Sequence, residues 1–118
     1  MIAEKIQAMV ALGLANSRMK DFYDVWVLSR THEFDKTRLA RAIAATFKRR
    51  GTTLPQDLPE VFTPAFFRDE GKLQQWSALV RDLSVEVLSF ATVVSDIATF
   101  IAPFMNEAAA LVRRETGE

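Results

Sequence analysis

Ser89-Phe90-Ala91-Thr92-Val93-Val94-Ser95-Asp96-Ile97-Ala98-Thr99-Phe100-Ile101-Ala102-Pro103-Phe104 is the clearest periodic pattern in the chain. At about 100° per residue, Ser89, Thr92, Ser95, Asp96, Thr99 and Pro103 crowd onto about one third of a helical wheel. Val87, Phe90, Val93, Val94, Ile97, Phe100, Ile101 and Phe104 fill the rest. This predicts a long amphipathic helix over roughly Glu86 to Arg114, packed on its apolar side and wet along the polar stripe. Pro103 falls on that stripe, where a kink would bend the helix around its core without exposing apolar surface. The stretch is long enough to span a bilayer, but the ordered polar stripe with Asp96 argues against a membrane.

The same helical spacing runs through most of the chain, and no segment alternates long enough to predict a strand. A first helix is predicted over roughly Ile2 to Leu12, with Ile2, Ile6, Met9 and Val10 on one stripe and Gly13 as its cap. A second, roughly Arg18 to Arg30, has Asn16 or Ser17 as candidate N-cap. The short link between them favours an antiparallel helical hairpin. Asp35 caps a third helix, with Phe34 and Leu39 placed as a hydrophobic staple. That helix ends on Lys48-Arg49-Arg50, cations at the negative end of the dipole, followed by Gly51. Pro55 and Pro59 break the stretch from Gly51 to Phe62, which is either an ordered crossing loop or a mobile one. Thr63-Pro64 opens a short helix near Ala65 to Arg68. Another follows over roughly Glu70 to Leu83, burying Leu73, Trp76, Leu79, Val80 and Leu83. The fold class is therefore all-α: a five- to six-helix bundle that begins with a hairpin and ends in a long amphipathic helix.

Composition bounds the function classes. At 118 residues the chain is one helical domain, 1–118, able to bury about two-thirds of its unfolded surface without staples. Fifteen basic residues balance fifteen acidic ones, so no global field recruits nucleic acid or anionic membrane and any basic surface is local. The absence of cysteine excludes disulfides, thiol catalysis and cysteine metal sites. With no signal-peptide pattern after Met1, the expectation is a cytoplasmic protein. His32 has no partner at ligand spacing, and no serine–histidine–carboxylate arrangement suggests a hydrolase.

Two stretches put charge inside apolar helical patterns, where it is costly unless paired or used. They are Ala3-Glu4-Lys5-Ile6-Gln7-Ala8 and Arg18-Met19-Lys20-Asp21-Phe22-Tyr23-Asp24. Positions 21 and 24 are one turn apart, so Lys20, Asp21 and Asp24 form a polar stripe on an otherwise apolar helix. That stripe is either a solvated edge or a site in which Asp21 or Asp24 faces Lys5 across the hairpin, at a partly wet rim. In the third helix, Arg38, Arg41, Lys48 and Arg49 fall within about 100° of one another. They are either a solvated face or a stripe that contacts phosphates without reading bases.

The E-K-x-x-A helix (Glu4, Lys5, Ala8) and the R-x-K-D-x-x-D helix (Arg18, Lys20, Asp21, Asp24) together resemble two motifs of the AbiEii/AbiGii nucleotidyltransferase-like toxin family. The match is strong over about Ala3 to Val25 and fades towards Trp76. The resemblance implies that Lys5 contacts nucleotide phosphates, that Asp21 and Asp24 are active-site acids, and that Glu4, Arg18 and Lys20 support them. It implies a bacterial toxin–antitoxin or abortive-infection (phage-defence) role, with an antitoxin partner. The parent activity would be Mg²⁺-dependent transfer of a nucleotide from an NTP to RNA such as tRNA. The chain departs from the family in lacking a Gly-Ser turn followed by a metal-binding acid. The expectation is thus a C-terminal helical fragment whose catalytic domain lies upstream of Met1, inactive alone, and inclined to homo-oligomerise through apolar surface near the first helix and Phe22 or Trp26. The rival readings are a nucleic-acid-binding module using the basic face of the third helix, and a structural self-associating bundle.

Overall fold

The computed structural model describes residues 2–86 and 89–117. Its spine is the last helix, α6 (Phe90–Thr116), against which α2 (Met19–Thr31) and α3 (Lys36–Arg49) both pack. The remaining helices are α1 (Ile2–Leu12), α4 (Pro64–Phe67) and α5 (Glu70–Leu83), with 3₁₀ turns at Gly13–Ala15 and Glu60–Phe62. No strand occurs among the described residues.

Along α6 the wheel is realised residue by residue. Phe90, Val93, Val94, Ile97, Ile101 and Phe104 are buried, while Ser89, Thr92, Ser95, Thr99 and Pro103 are exposed. The helix starts later than the pattern predicted. Ser89 caps it, its hydroxyl accepting from the Thr92 amide at 3.2 Å, so Glu86 stays outside the helix, and Val87 lies outside the described residues. The missing proline N–H at Pro103 frees the Thr99 carbonyl, and both residues are exposed, so water can take that acceptor.

The core joins α1, α2, α3 and α6 through Ile6, Met9, Phe22, Val25, Ile43, Phe47 and Ile97. Its centre is aromatic. Phe22 stacks on Phe66 with ring centroids 5.4 Å apart and meets Phe90 edge-on at 5.7 Å. Trp76 lies 5.0 Å from Phe90, which ties α5 to the same cluster. Two expectations need correcting here. Phe22 is fully buried rather than bare, and Leu73, expected in the core, is 39% exposed. Among the described residues the remaining exposed large apolar side chains are Leu12, Leu14 and Leu58, near the end of α1 and in the 55–60 segment.

The proline-bearing segment after α3 is tied down. Gly51 takes φ +64°, a left-handed value that costs glycine little, and Thr52 N–H closes the helix on the Phe47 carbonyl at 2.8 Å. The Thr52 hydroxyl then accepts from Gln7 Nε2 at 2.9 Å, pinning the segment to α1. Val61 and Phe62 are buried beyond it.

Candidate active site

The site is built where α1 meets the first turn of α2. Asn16, fully buried, accepts the Arg18 amide on its Oδ1 at 2.7 Å. This turn comes before the helix, so neither Asn16 nor Ser17 caps α2 in the predicted way; Arg18 occupies the cap position and offers no side-chain bond. The Asn16 carbonyl accepts from Lys72 Nζ at 2.6 Å, and Lys72 also stands 5.4 Å above the Phe66 ring. The first turn of α5 thus holds the bend after which Asp21 meets Lys5 of α1.

Lys5 donates from Nζ to Asp21 Oδ1 at 3.1 Å and to Asp24 Oδ2 at 3.2 Å. Lys20 approaches both oxygens of Asp24, at 3.1 and 3.2 Å. Arg18 Nε stands 2.9 Å from Asp21 Oδ2; the contact is ionic, because its N–H is not aligned on the oxygen and Oδ2 accepts no hydrogen bond. Three cations therefore meet two carboxylates, and all four carboxylate oxygens lie within 3.2 Å of a cationic nitrogen. Asp21 is the most enclosed member, its side chain 9% exposed against 28% for Lys5. The Asp21 hydrogen bond holds the Lys5 ammonium above its ordinary pKa of 10.5; burial works against this, and Asp24 adds to the rise.

The sequence-predicted residues divide into two groups. Lys5, Arg18, Lys20, Asp21 and Asp24 converge. Glu4 faces the other way, its carboxylate 3.7 Å from Arg49 of α3. Arg38, Arg41 and Lys48 are exposed on α3, away from the Lys5 cluster's ion pairs. A family model described as nucleotidyl transferase AbiEii toxin, Type IV TA system, matches residues 1–99. The chain belongs to this family. The match takes in both motifs, the aromatic core and the first part of α6, well beyond the segment where the motifs alone are recognisable. Comparison with curated proteins and with solved structures gave no match.

Membership in the AbiEii family places the chain among the nucleotidyltransferase-like toxins of toxin–antitoxin systems. The Lys5 cluster is an ammonium held in place by two carboxylates and flanked by two further cations, Arg18 and Lys20. Among the described residues no group of three His, Asp or Glu side chains is arranged to hold a metal ion. No described helix is long and apolar enough to cross a membrane. A groove of about 340 Å³ lies elsewhere, lined by Val10, Gly13 and residues 55–60. It includes none of the cluster. Sequence reasoning missed Asn16 as the shaper of the bend and Lys72 as its clamp. Asn16 carried a readable signal, a turn-forming residue before a helix. Lys72 carried none, since its partner is 56 positions away.

Proposed function

We propose that Lys5, assisted by Arg18 and Lys20, holds the phosphates of a nucleoside triphosphate in a nucleotide-transfer site, and that Asp21 and Asp24 keep these cations in position. The observation that carries this reading is the double hydrogen bond from Lys5 to carboxylates one turn apart on α2. Such a grip fixes the direction of a flexible ammonium before any substrate arrives, which is how a binding site lowers the ordering cost of charge stabilisation. A triphosphate fits the cationic side of the cluster. A magnesium ion fits the cluster poorly, because each carboxylate oxygen is already beside a cation. The ion that such transfer employs would sit on other carboxylates, which this reading places upstream of Met1. The acceptor is RNA such as tRNA, and the partner that restrains the toxin is its antitoxin.

The chain by itself is expected to be inactive. Incubation with labelled NTPs and bulk tRNA should yield no labelled product, and robust incorporation would overturn the fragment reading. In a protein extended by the upstream reading frame, Lys5→Ala should lower transfer by at least about 100-fold, the loss typical of removing one preorganised electrostatic contact. Full activity in that variant would remove Lys5 from the site.

A further inference from the structure

α3 carries Lys36, Arg38, Arg41, Lys48 and Arg49 and no acidic residue. At about 100° per residue, Arg38, Arg41, Lys48 and Arg49 share one face with Ala42 and Ala45, and all six are exposed. Carboxylates elsewhere leave this face almost unneutralised: among the described residues the single ion pair on it is Arg49 with Glu4, at 3.7 Å. Lys48 and Arg49 have a ready structural reason, since cations suit the C-terminal end of a helix. Arg38 has none. It lies with Lys36 in the first turn, at the positive end of the dipole, where a cation opposes helix formation. The small side chains of Ala42 and Ala45 keep the surface between the cations flat, so a rigid polyanion can approach closely. At a rise of 1.5 Å per residue, Arg38 and Lys48 stand about 15 Å apart along the axis, an axial length of duplex over which each strand presents about four phosphates, one per about 3.4 Å of rise.

We infer that the exposed face of α3 binds the phosphodiester backbone of a double-stranded nucleic acid, by charge and without reading bases. The face carries no aromatic side chain on which an unpaired base would stack, so a duplex is the form it fits. This inference does not rest on the nucleotide reading. It adds to it, because Arg49 reaches Glu4, the residue before Lys5, and a duplex lying along α3 is directed towards the Lys5 end of α1.

The test is fluorescence anisotropy of labelled duplex RNA, duplex DNA and single-stranded RNA with the purified chain, over a salt series. Four phosphate contacts imply an affinity that falls about a hundred-fold between 50 and 200 mM salt. Replacing Arg38, Arg41 and Lys48 together by Ala should reduce the slope of log K against log salt by about 2 to 3. These positions are exposed and alanine is a good helix former, so the variant should fold; circular dichroism checks this. Restoring charge as Arg38→Lys and Arg41→Lys, with Lys48 intact, should recover the binding, and Lys5→Met should leave it unchanged. Binding of either duplex supports the inference, and a difference between them says which nucleic acid the face takes. It is overturned if the wild-type chain shows no salt-dependent duplex binding, if the triple substitution leaves the slope unchanged, or if only single-stranded RNA binds. Loss of duplex binding in Lys5→Met would assign the contact to the nucleotide site instead.

Discussion

Lys5 stands between two regimes of ion pairing. An exposed pair contributes about 0–1 kcal/mol, whereas breaking a fully buried one costs about 3–5 kcal/mol because a charge is left without compensation. Lys5 is partly wet, but its partner Asp21 is enclosed, and removing Lys5 strips the hydrogen bond from Oδ1 of Asp21 while the off-axis Arg18 contact remains on the other oxygen, Oδ2. Lys5→Met is therefore expected to cost about 1–2 kcal/mol, more than a wet-rim pair and less than a buried one. Urea denaturation of the two single variants and the Lys5→Met, Asp21→Asn double variant measures the coupling directly. The pH dependence has a definite sign. Because the folded protein holds Lys5 above its ordinary pKa, the bound proton stabilises the native state fully below that ordinary value. The contribution is lost as pH rises through the higher, folded-state pKa. The difference in stability between wild type and Lys5→Met should thus be flat through neutral pH and shrink in strongly alkaline solution. A difference that grew with pH would contradict the assignment.

At the level of elements, the helices are set by caps more than by interior propensity. Asp35 accepts the Arg38 amide at 2.8 Å and Asp69 accepts the Lys72 amide at 3.0 Å. Each satisfies one of the orphan donors of a first turn, so Asp35→Ala and Asp69→Ala should each cost about 1 kcal/mol in chemical denaturation. Asp69→Ala should have a further effect, because the first turn of α5 positions Lys72 over the Asn16 carbonyl: it should loosen the bend before α2, read as faster amide exchange near Arg18 and Asp21. The contrast between these two caps marks how far the sequence could be read. Asp35, α3 and the Gly51 stop were legible because cap, apolar stripe and terminal cations agree with one another. The start of α6 is less legible, because in sequence Glu86 and Val87 continue the helical period, whereas the Ser89 hydroxyl caps the helix on the Thr92 amide. In the site, motif spacing found Lys5, Asp21 and Asp24. Periodicity alone could not show that Asp21 would be enclosed, or that Asp96, on the wet stripe of α6, would accept the Trp26 indole N–H at 3.1 Å. Both depend on which helix crosses which, and that is decided by contacts far apart in sequence.

The whole molecule depends on one such set of contacts. Phe22, Phe66, Trp76 and Phe90 come from α2, α4, α5 and the start of α6, and their rings meet in a single cluster. Phe90 meets the other three rings, and Phe22, which meets Phe66 and Phe90, follows Asp21 directly, so the side chain that locks α2 into the core also fixes the carboxylate that grips Lys5. Trp26, one turn later, looks equally hydrophobic in sequence but occupies a different environment. It is half-buried, hydrogen-bonded to Asp96 and covered by Arg30 at 5.1 Å from its ring. Truncating a fully enclosed aromatic removes its transfer energy and leaves a cavity, about 3–5 kcal/mol, and a partly wet site both loses less burial and fills with water. Phe22→Ala should therefore destabilise the protein more than Trp26→Ala, and on a domain whose total stability is about 5–15 kcal/mol it should move the urea midpoint far enough to read without ambiguity. The consequence for the site separates core from chemistry. Phe22→Ala should weaken the Lys5–Asp21 coupling measured by the double-variant cycle, because the helix that presents Asp21 is no longer held against α4 and α6. Trp26→Ala should leave that coupling close to its wild-type value. If the two variants reduce it equally, the cluster is held by α2 as a whole rather than through Phe22, and the Phe22 ring has no special part in placing Asp21.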